Sequence, residues 1–203
     1  MKKGKCFSAC NRGQRKMSDF YQTPYSMVEQ LLENEKFDYN KNVLEPACGE
    51  EAIVCILDLY FMKYTFYDIK ESENYDFLYE NNKYDYIITN PPFSLAFEFI
   101  QQAKKVAKEK FAMLLPLSYL HGQKRYESKI FTDPNYPLTK VYVFTRYPML
   151  SDTVREDGKY TTGMQVYAWF IWENNFDGYI QWKNPIIKWI DNNKYVLSKK
   201  DIK

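Results

Sequence analysis

Histidine is nearly missing from this chain: His121 is the only one in 203 residues, and cysteine is limited to Cys6, Cys10, Cys48 and Cys55. Cys6 and Cys10 have the spacing of half a zinc site, but no second Cys or His pair follows at ligand spacing, so no metal is expected. With no secretory leader and no disulfide framework in view, a reduced, cytoplasmic setting is expected. No apolar run approaches the roughly 20 residues that cross a bilayer, so no membrane partner is expected either. The formal net charge is only +2, which means that any nucleic-acid partner must be met by local basic patches and not by the field of the whole chain. Internal repeats and low-complexity blocks are also lacking, which argues against a solenoid.

What is present is a folding composition. Hydrophobic residues at 45% against 27% charged residues place the chain among globular proteins, and its length suits one domain. Residues 1–19, with Lys2, Lys3, Lys5, Arg12, Arg15 and Lys16, read as a basic, poorly ordered arm; residues 20–203 read as a single domain. Aromatics reach 18%, enough to fill a core or to supply stacking surfaces for bases.

Apolar periodicity alternates between strand and helix. Thr23-Pro24 reads as a helix entry, Thr as N-cap and Pro in the first turn, for a helix over 24–36. Asn42–Glu45 reads as a strand, and Ile53, Ile56, Leu57 and Tyr60 recur at helical spacing after it. Further strands are expected over Tyr64–Asp68, Tyr84–Thr89 and Phe111–Leu115, with a helix capped by Ser94 before the last of these. Lys140–Thr145 and Gln165–Trp172 read as an antiparallel edge pair, and 179–190 and 194–197 carry weaker strand signals. The expectation is an α/β, Rossmann-like sheet, mostly parallel with helices on both faces and an antiparallel edge hairpin.

Ligands of such sheets bind beyond the carboxyl ends of strands, and three segments fall there. In Glu45-Pro46-Ala47-Cys48-Gly49 the glycine lets the backbone pass close to a ligand, and the next helix offers free N–H groups. Asp68, nineteen residues beyond Gly49, is a strand-end carboxylate that can accept from both hydroxyls of a ribose. Asn90-Pro91-Pro92-Phe93 follows the apolar run Tyr86–Thr89; the two prolines fix φ and push Asn90 toward an extended conformation. The Asn90 amide oxygen and the Pro91 carbonyl can then act as two acceptors facing one point, which suits a substrate NH₂, and Phe93 can stack on a base.

These motifs, in this order from about Tyr21 to Trp172, resemble those of the amino-group DNA methyltransferases of the N6-adenine type, in particular phage-type members. The resemblance implies a seven-stranded sheet, S-adenosyl-L-methionine as cofactor, and methylation of adenine N6 in DNA. By the same resemblance Tyr21, Thr23 and Pro24 close over the methionine part of the cofactor, Glu45, Ala47, Cys48 and Gly49 form its loop, and Asp68 binds its ribose. Asp76 would lie at its adenine amino group and Phe77 against its ring, while Asn90, Pro91, Pro92 and Phe93 form the catalytic tetrapeptide. One departure stands out: Glu51 occupies the place where the family has a second loop glycine.

Phosphate contacts are expected from Tyr119, Lys124 and Arg125, just past a strand end, and from Arg146, Arg155 and Lys159 in a long connection over the same edge. No block of the size of a target-recognition domain is visible, so sequence selection is expected from these loops or from a partner subunit. Two rival readings remain: the same chemistry on adenine in RNA or on a protein glutamine, and a non-catalytic nucleic-acid-binding protein on the same fold, which Glu51 motivates.

Overall fold

The structure, a computed structural model, describes residues 23–71, 75–145, 166–174 and 184–191. The basic arm over 1–19, Tyr21, Arg146, Arg155, Lys159 and the strand signal at 194–197 lie outside the described residues.

Seven strands form one sheet: β1 (Asn42–Glu45), β2 (Lys63–Phe66), β3 (Tyr84–Thr89), β4 (Ala107–Pro116), β5 (Leu138–Phe144), β6 (Tyr167–Glu173) and β7 (Ile186–Ile190). Their order is β2-β1-β3-β4-β6-β5-β7. Only β6 runs antiparallel to its neighbours, pairing Leu114 with Trp169 on one side and Val141 with Phe170 on the other. The expected hairpin is therefore β5–β6, and β7 adds outside it, parallel to β5.

The central strands are buried on both faces, and their side chains sort by the two-residue period of a strand. Phe111, Met113 and Leu115 of β4, with Ala168, Phe170 and Trp172 of β6, face α3 (Ala96–Val106). Ala112 and Leu114, with Tyr167, Trp169 and Ile171, face α1 (Tyr25–Asn34) and α2 (Ala52–Tyr60). α1 buries Met27, Val28, Leu31 and Leu32, and Trp169 Nε1 donates to the Met27 carbonyl at 2.7 Å, which fastens this helix to β6. In α3 the buried stripe is Ala96, Phe99, Ile100, Ala103 and Val106; Glu98 in its first turn and Lys104 and Lys105 in its last suit the helix dipole.

Two expected caps are corrected. Pro24, not Thr23, occupies the N-cap of α1, and no side chain caps it, because the Thr23 hydroxyl is bound to Asn90. Ser94 lies within a 3-10 turn, Phe93–Leu95, and the N-cap of α3 is Leu95. β4 also begins earlier than expected, at Ala107, because it pairs from Tyr84 of β3 onward and Lys110 lies between Tyr86 and Glu173 in the sheet.

Chain order places a switch point in this sheet. From β1 the chain moves outward to β2, whereas β3 lies on the other side of β1 and leads on to β4. The crevice beyond the carboxyl ends of β1 and β3 is where open parallel sheets hold ligands.

Candidate functional site at the carboxyl ends of β1 and β3

Glu45 ends β1 with no exposed surface. Its Oε1 accepts from the Ala47 N–H at 2.9 Å and from the Thr89 hydroxyl at 2.6 Å, joining the loop after β1 to the last residue of β3. Its Oε2 is buried and accepts no hydrogen bond among the described residues. Burial pushes the Glu45 carboxyl up to about 8, with the Thr89 and Ala47 hydrogen bonds opposing and the Asp68 charge adding to the rise.

At neutral pH Glu45 is therefore mostly a neutral acid. Between its ordinary value of 4.5 and about 8, the unfolded chain releases a proton that the folded chain keeps, so stability falls as pH rises through that window. Glu45→Gln should flatten this decline: the variant gains on the parent near pH 8 and does not near about pH 5, as urea unfolding at the two values would record.

The loop folds back on the end of β2. The Cys48 N–H donates to the Tyr67 carbonyl at 3.2 Å and the Gly49 N–H to Asp68 Oδ2 at 2.9 Å, while Asp68 Oδ1 accepts from the Lys70 N–H at 2.9 Å. Asp68 is buried, and each of its oxygens keeps a second lone pair for a ligand hydroxyl. Burial first, and then the surrounding carboxylates, push the Cys48 thiol up to about 12, so it is no nucleophile.

Gly49 sits at φ 54°, and Glu51 at φ 61°, ψ 20°, both in the left-handed region. The glutamate thus keeps a backbone conformation that a glycine would hold without strain, and its side chain points to solvent. Glu51→Gly should raise the unfolding free energy by about 1 kcal/mol, less the extra backbone entropy glycine brings. Denaturant titration measures this; a loss of stability would mean that the Glu51 side chain holds the turn.

Asn90 follows β3 directly and is half-buried, with Pro91 buried behind it. Asn90 Nδ2 donates to Thr23 Oγ1 at 3.0 Å, so the segment ahead of α1 meets the tetrapeptide across 67 residues of chain. Pro92 turns the chain, its carbonyl accepting from the Leu95 N–H at 2.9 Å. The Phe93 ring stands 5.7 Å from that of Tyr167, the first residue of β6, at 32°.

Other expected residues fall differently. Asp76 Oδ1 accepts from the Leu78 N–H at 2.9 Å and starts a 3-10 turn, and Phe77 is packed in the core with its ring 4.9 Å from that of Phe99. Tyr119 is buried, and the Arg125 guanidinium lies 4.5 Å from its ring centroid, so these two face each other. Lys124 is exposed on the short helix α4 (Gln123–Glu127), its Nζ 5.2 Å from the Phe97 ring. Glu45, Ala47, Gly49, Asp68, Asn90 and Thr23 are thus joined by hydrogen bonds running Gly49–Asp68, Ala47–Glu45–Thr89 and Asn90–Thr23.

Sequence reasoning missed Thr89 and Tyr167. A threonine closing an apolar strand just before Asn90 was a usable signal for the first; the second stands at the head of the aromatic run Tyr167–Trp172, which marks a strand but not a site. Among the described residues no group of three or more His, Cys, Asp and Glu could hold a metal, and no helix is long and apolar enough to cross a membrane.

No protein-family model matches the sequence, and neither does any curated protein sequence. Solved structures share the fold. A protein of Listeria monocytogenes described as a class I S-adenosylmethionine-dependent methyltransferase superposes with a TM-score of 0.58 at 14% identity, over 88% of this chain and 68% of that one. The methyltransferase subunit of a type I restriction-modification system from Streptococcus thermophilus gives 0.58 at 14% identity, over 89% of this chain and 49% of its own. The 23S rRNA methyltransferase ErmE gives 0.51 at 12% identity, over 76% and 69%. This chain spans about half the length of the type I modification subunits.

Proposed function

We propose that the chain transfers a methyl group from S-adenosyl-L-methionine to the N6 amino group of adenine in DNA. The observation that carries the reading is the position of Asn90: it directly follows the strand beside the switch point, its amide plane is held by Thr23, and Thr89 ties the same strand end to the loop after β1.

The residues present fit the cofactor. Glu45 Oε2, buried and without a hydrogen bond among the described residues, Asp68 with its spare lone pairs, and the close-passing backbone at Gly49 offer polar contacts to a ligand without a phosphate. When bound, S-adenosyl-L-methionine supplies an electrophilic methyl on a sulfonium sulfur. Asn90 Oδ1 and the Pro91 carbonyl accept the two hydrogens of the substrate amine. An exocyclic amine is a poor nucleophile because its lone pair is delocalised into the ring; accepting both hydrogens favours the tetrahedral form with the lone pair on nitrogen. Phe93, backed by Tyr167, provides the face on which an extruded base stacks. Once methylated, the nitrogen is a strongly acidic ammonium that gives its extra proton to water, so no histidine base is required, and His121 lies exposed at the end of a 3-10 turn.

Lys124 and Arg125, with Tyr119, and the residues Arg146, Arg155 and Lys159 are the proposed phosphate contacts, and a partner subunit is the proposed source of further target selection. The modification subunits that share this fold support the latter. Glu51 favours the non-catalytic alternative less than its identity suggests, since it holds the left-handed backbone conformation itself.

Incubation with cofactor and a DNA duplex, digestion to nucleosides and mass analysis should yield N6-methyldeoxyadenosine. A duplex whose adenines already carry N6-methyl should accept no further methyl; equal incorporation into both would overturn the assignment to N6.

A further inference from the structure

We infer that Thr23 is a positioning residue for Asn90, holding the plane of its carboxamide so that the amide oxygen meets the substrate amine; this rests on the function proposed above. An asparagine amide rotates broadly about its terminal bond, and half a turn exchanges its acceptor for its donor. Only one orientation suits an incoming NH₂, because the other sets donor against donor.

Asn90 is gripped on two sides. Its backbone follows Thr89, whose hydroxyl is bound to Glu45 at 2.6 Å, and its Nδ2 reaches Thr23 Oγ1 at 3.0 Å. Thr23 is itself held firmly: it is 5% exposed, it adjoins Pro24 at the N-cap of α1, and α1 is fastened to β6 through the Trp169 indole. With the NH₂ engaged by Thr23, the oxygen is the end that turns to substrate. The buried Thr23 hydroxyl is thereby absorbed into the amine-binding arrangement and not into the cap of its own helix.

Three variants test this. Thr23→Val keeps the shape and removes the acceptor; at saturating S-adenosyl-L-methionine it should lower kcat about tenfold to a hundredfold, with KM for DNA within about twofold of the parent. Thr23→Ser restores the hydroxyl and should recover kcat to within about threefold. An unchanged kcat in Thr23→Val, or a loss that appears wholly as weaker cofactor binding, overturns the inference.

A second readout is independent of turnover. In ¹⁵N-labelled full-length protein the Asn90 side-chain NH₂ signal is identified by its disappearance in Asn90→Ala. It should move in Thr23→Val and return in Thr23→Ser; a signal that stays in place in Thr23→Val overturns the inference even if that variant is less active. If the signal responds but the parent protein methylates no substrate, the proposed function is overturned, and with it the role of Thr23, while the hydrogen bond itself stands.

Discussion

Asn90→Ala should lower methyl transfer by about a hundredfold to a thousandfold while leaving the fold and cofactor affinity nearly unchanged. The substitution removes the one side-chain acceptor of the tetrapeptide, and the loss is expected in kcat because the amine hydrogens are held more strongly as the nitrogen becomes tetrahedral. The strand end itself survives: Thr89 stays bound to Glu45, Pro91 and Pro92 keep φ fixed, and the Pro92–Leu95 turn is made by backbone alone. Circular dichroism and calorimetry with S-adenosyl-L-methionine separate the two effects. Turnover equal to the parent's would remove Asn90 from the mechanism.

The largest expected effect on stability lies at the amino ends of the inner strands β4 and β5. Glu35, at the C-cap of α1 with a side chain only 2% exposed, receives Lys110 at 2.7 Å, Lys140 at 3.0 Å and the Tyr142 hydroxyl at 2.7 Å. Glu173 of β6 shares both lysines, at 3.3 and 2.8 Å. Glu35→Ala leaves two largely buried ammonium groups on one remaining carboxylate and should cost about 3–5 kcal/mol. Methyl transfer per folded molecule should be unaffected, because the cluster is built from α1, β4, β5 and β6 at the amino ends of the parallel strands, away from the loop after β1 and from Asn90.

The same cluster gives stability an acid limit. Burial alone would raise the Glu35 carboxyl, but Lys110, Tyr142 and Lys140 more than offset it and hold it below the ordinary carboxylate value of 4.5. A group with a lowered folded-state pKa contributes its stability above the ordinary value and loses it as pH falls through the folded one. Thermal unfolding of the parent should therefore weaken below about pH 4, and Glu35→Ala should weaken less steeply there.

How far the fold was legible follows from how local each signal is. β1 and β3 were readable to the residue because a short apolar run is bounded at both ends, by Asn42 and Glu45 in one case and by Tyr84 and Asn90 in the other. The start of β4 was not, since Lys108, Glu109 and Lys110 look like a solvated helix end; Lys110 is a strand residue paired with Tyr86 of β3 and Glu173 of β6, and its charge meets Glu35, 75 positions earlier. The cap of α1 was misplaced by one residue for the same kind of reason, its threonine being claimed by Asn90. At the site, Glu45, Gly49, Asp68 and Asn90 were visible as strand-end motifs. Their connections were not, because Thr89–Glu45 and Asn90–Thr23 join residues 44 and 67 apart. The packing of Phe77 beside Phe99 was likewise not visible locally, because it depends on where α3 packs.

The proposed function is tested most directly by transfer of radiolabelled methyl from S-adenosyl-L-methionine to unmethylated DNA, RNA and protein in parallel, with Asn90→Ala alongside. Label is expected in DNA, recovered as N6-methyladenine and reduced to near background in the variant. Label only in RNA or protein would contradict the substrate, and no label anywhere, together with no detectable cofactor binding, would contradict the enzyme.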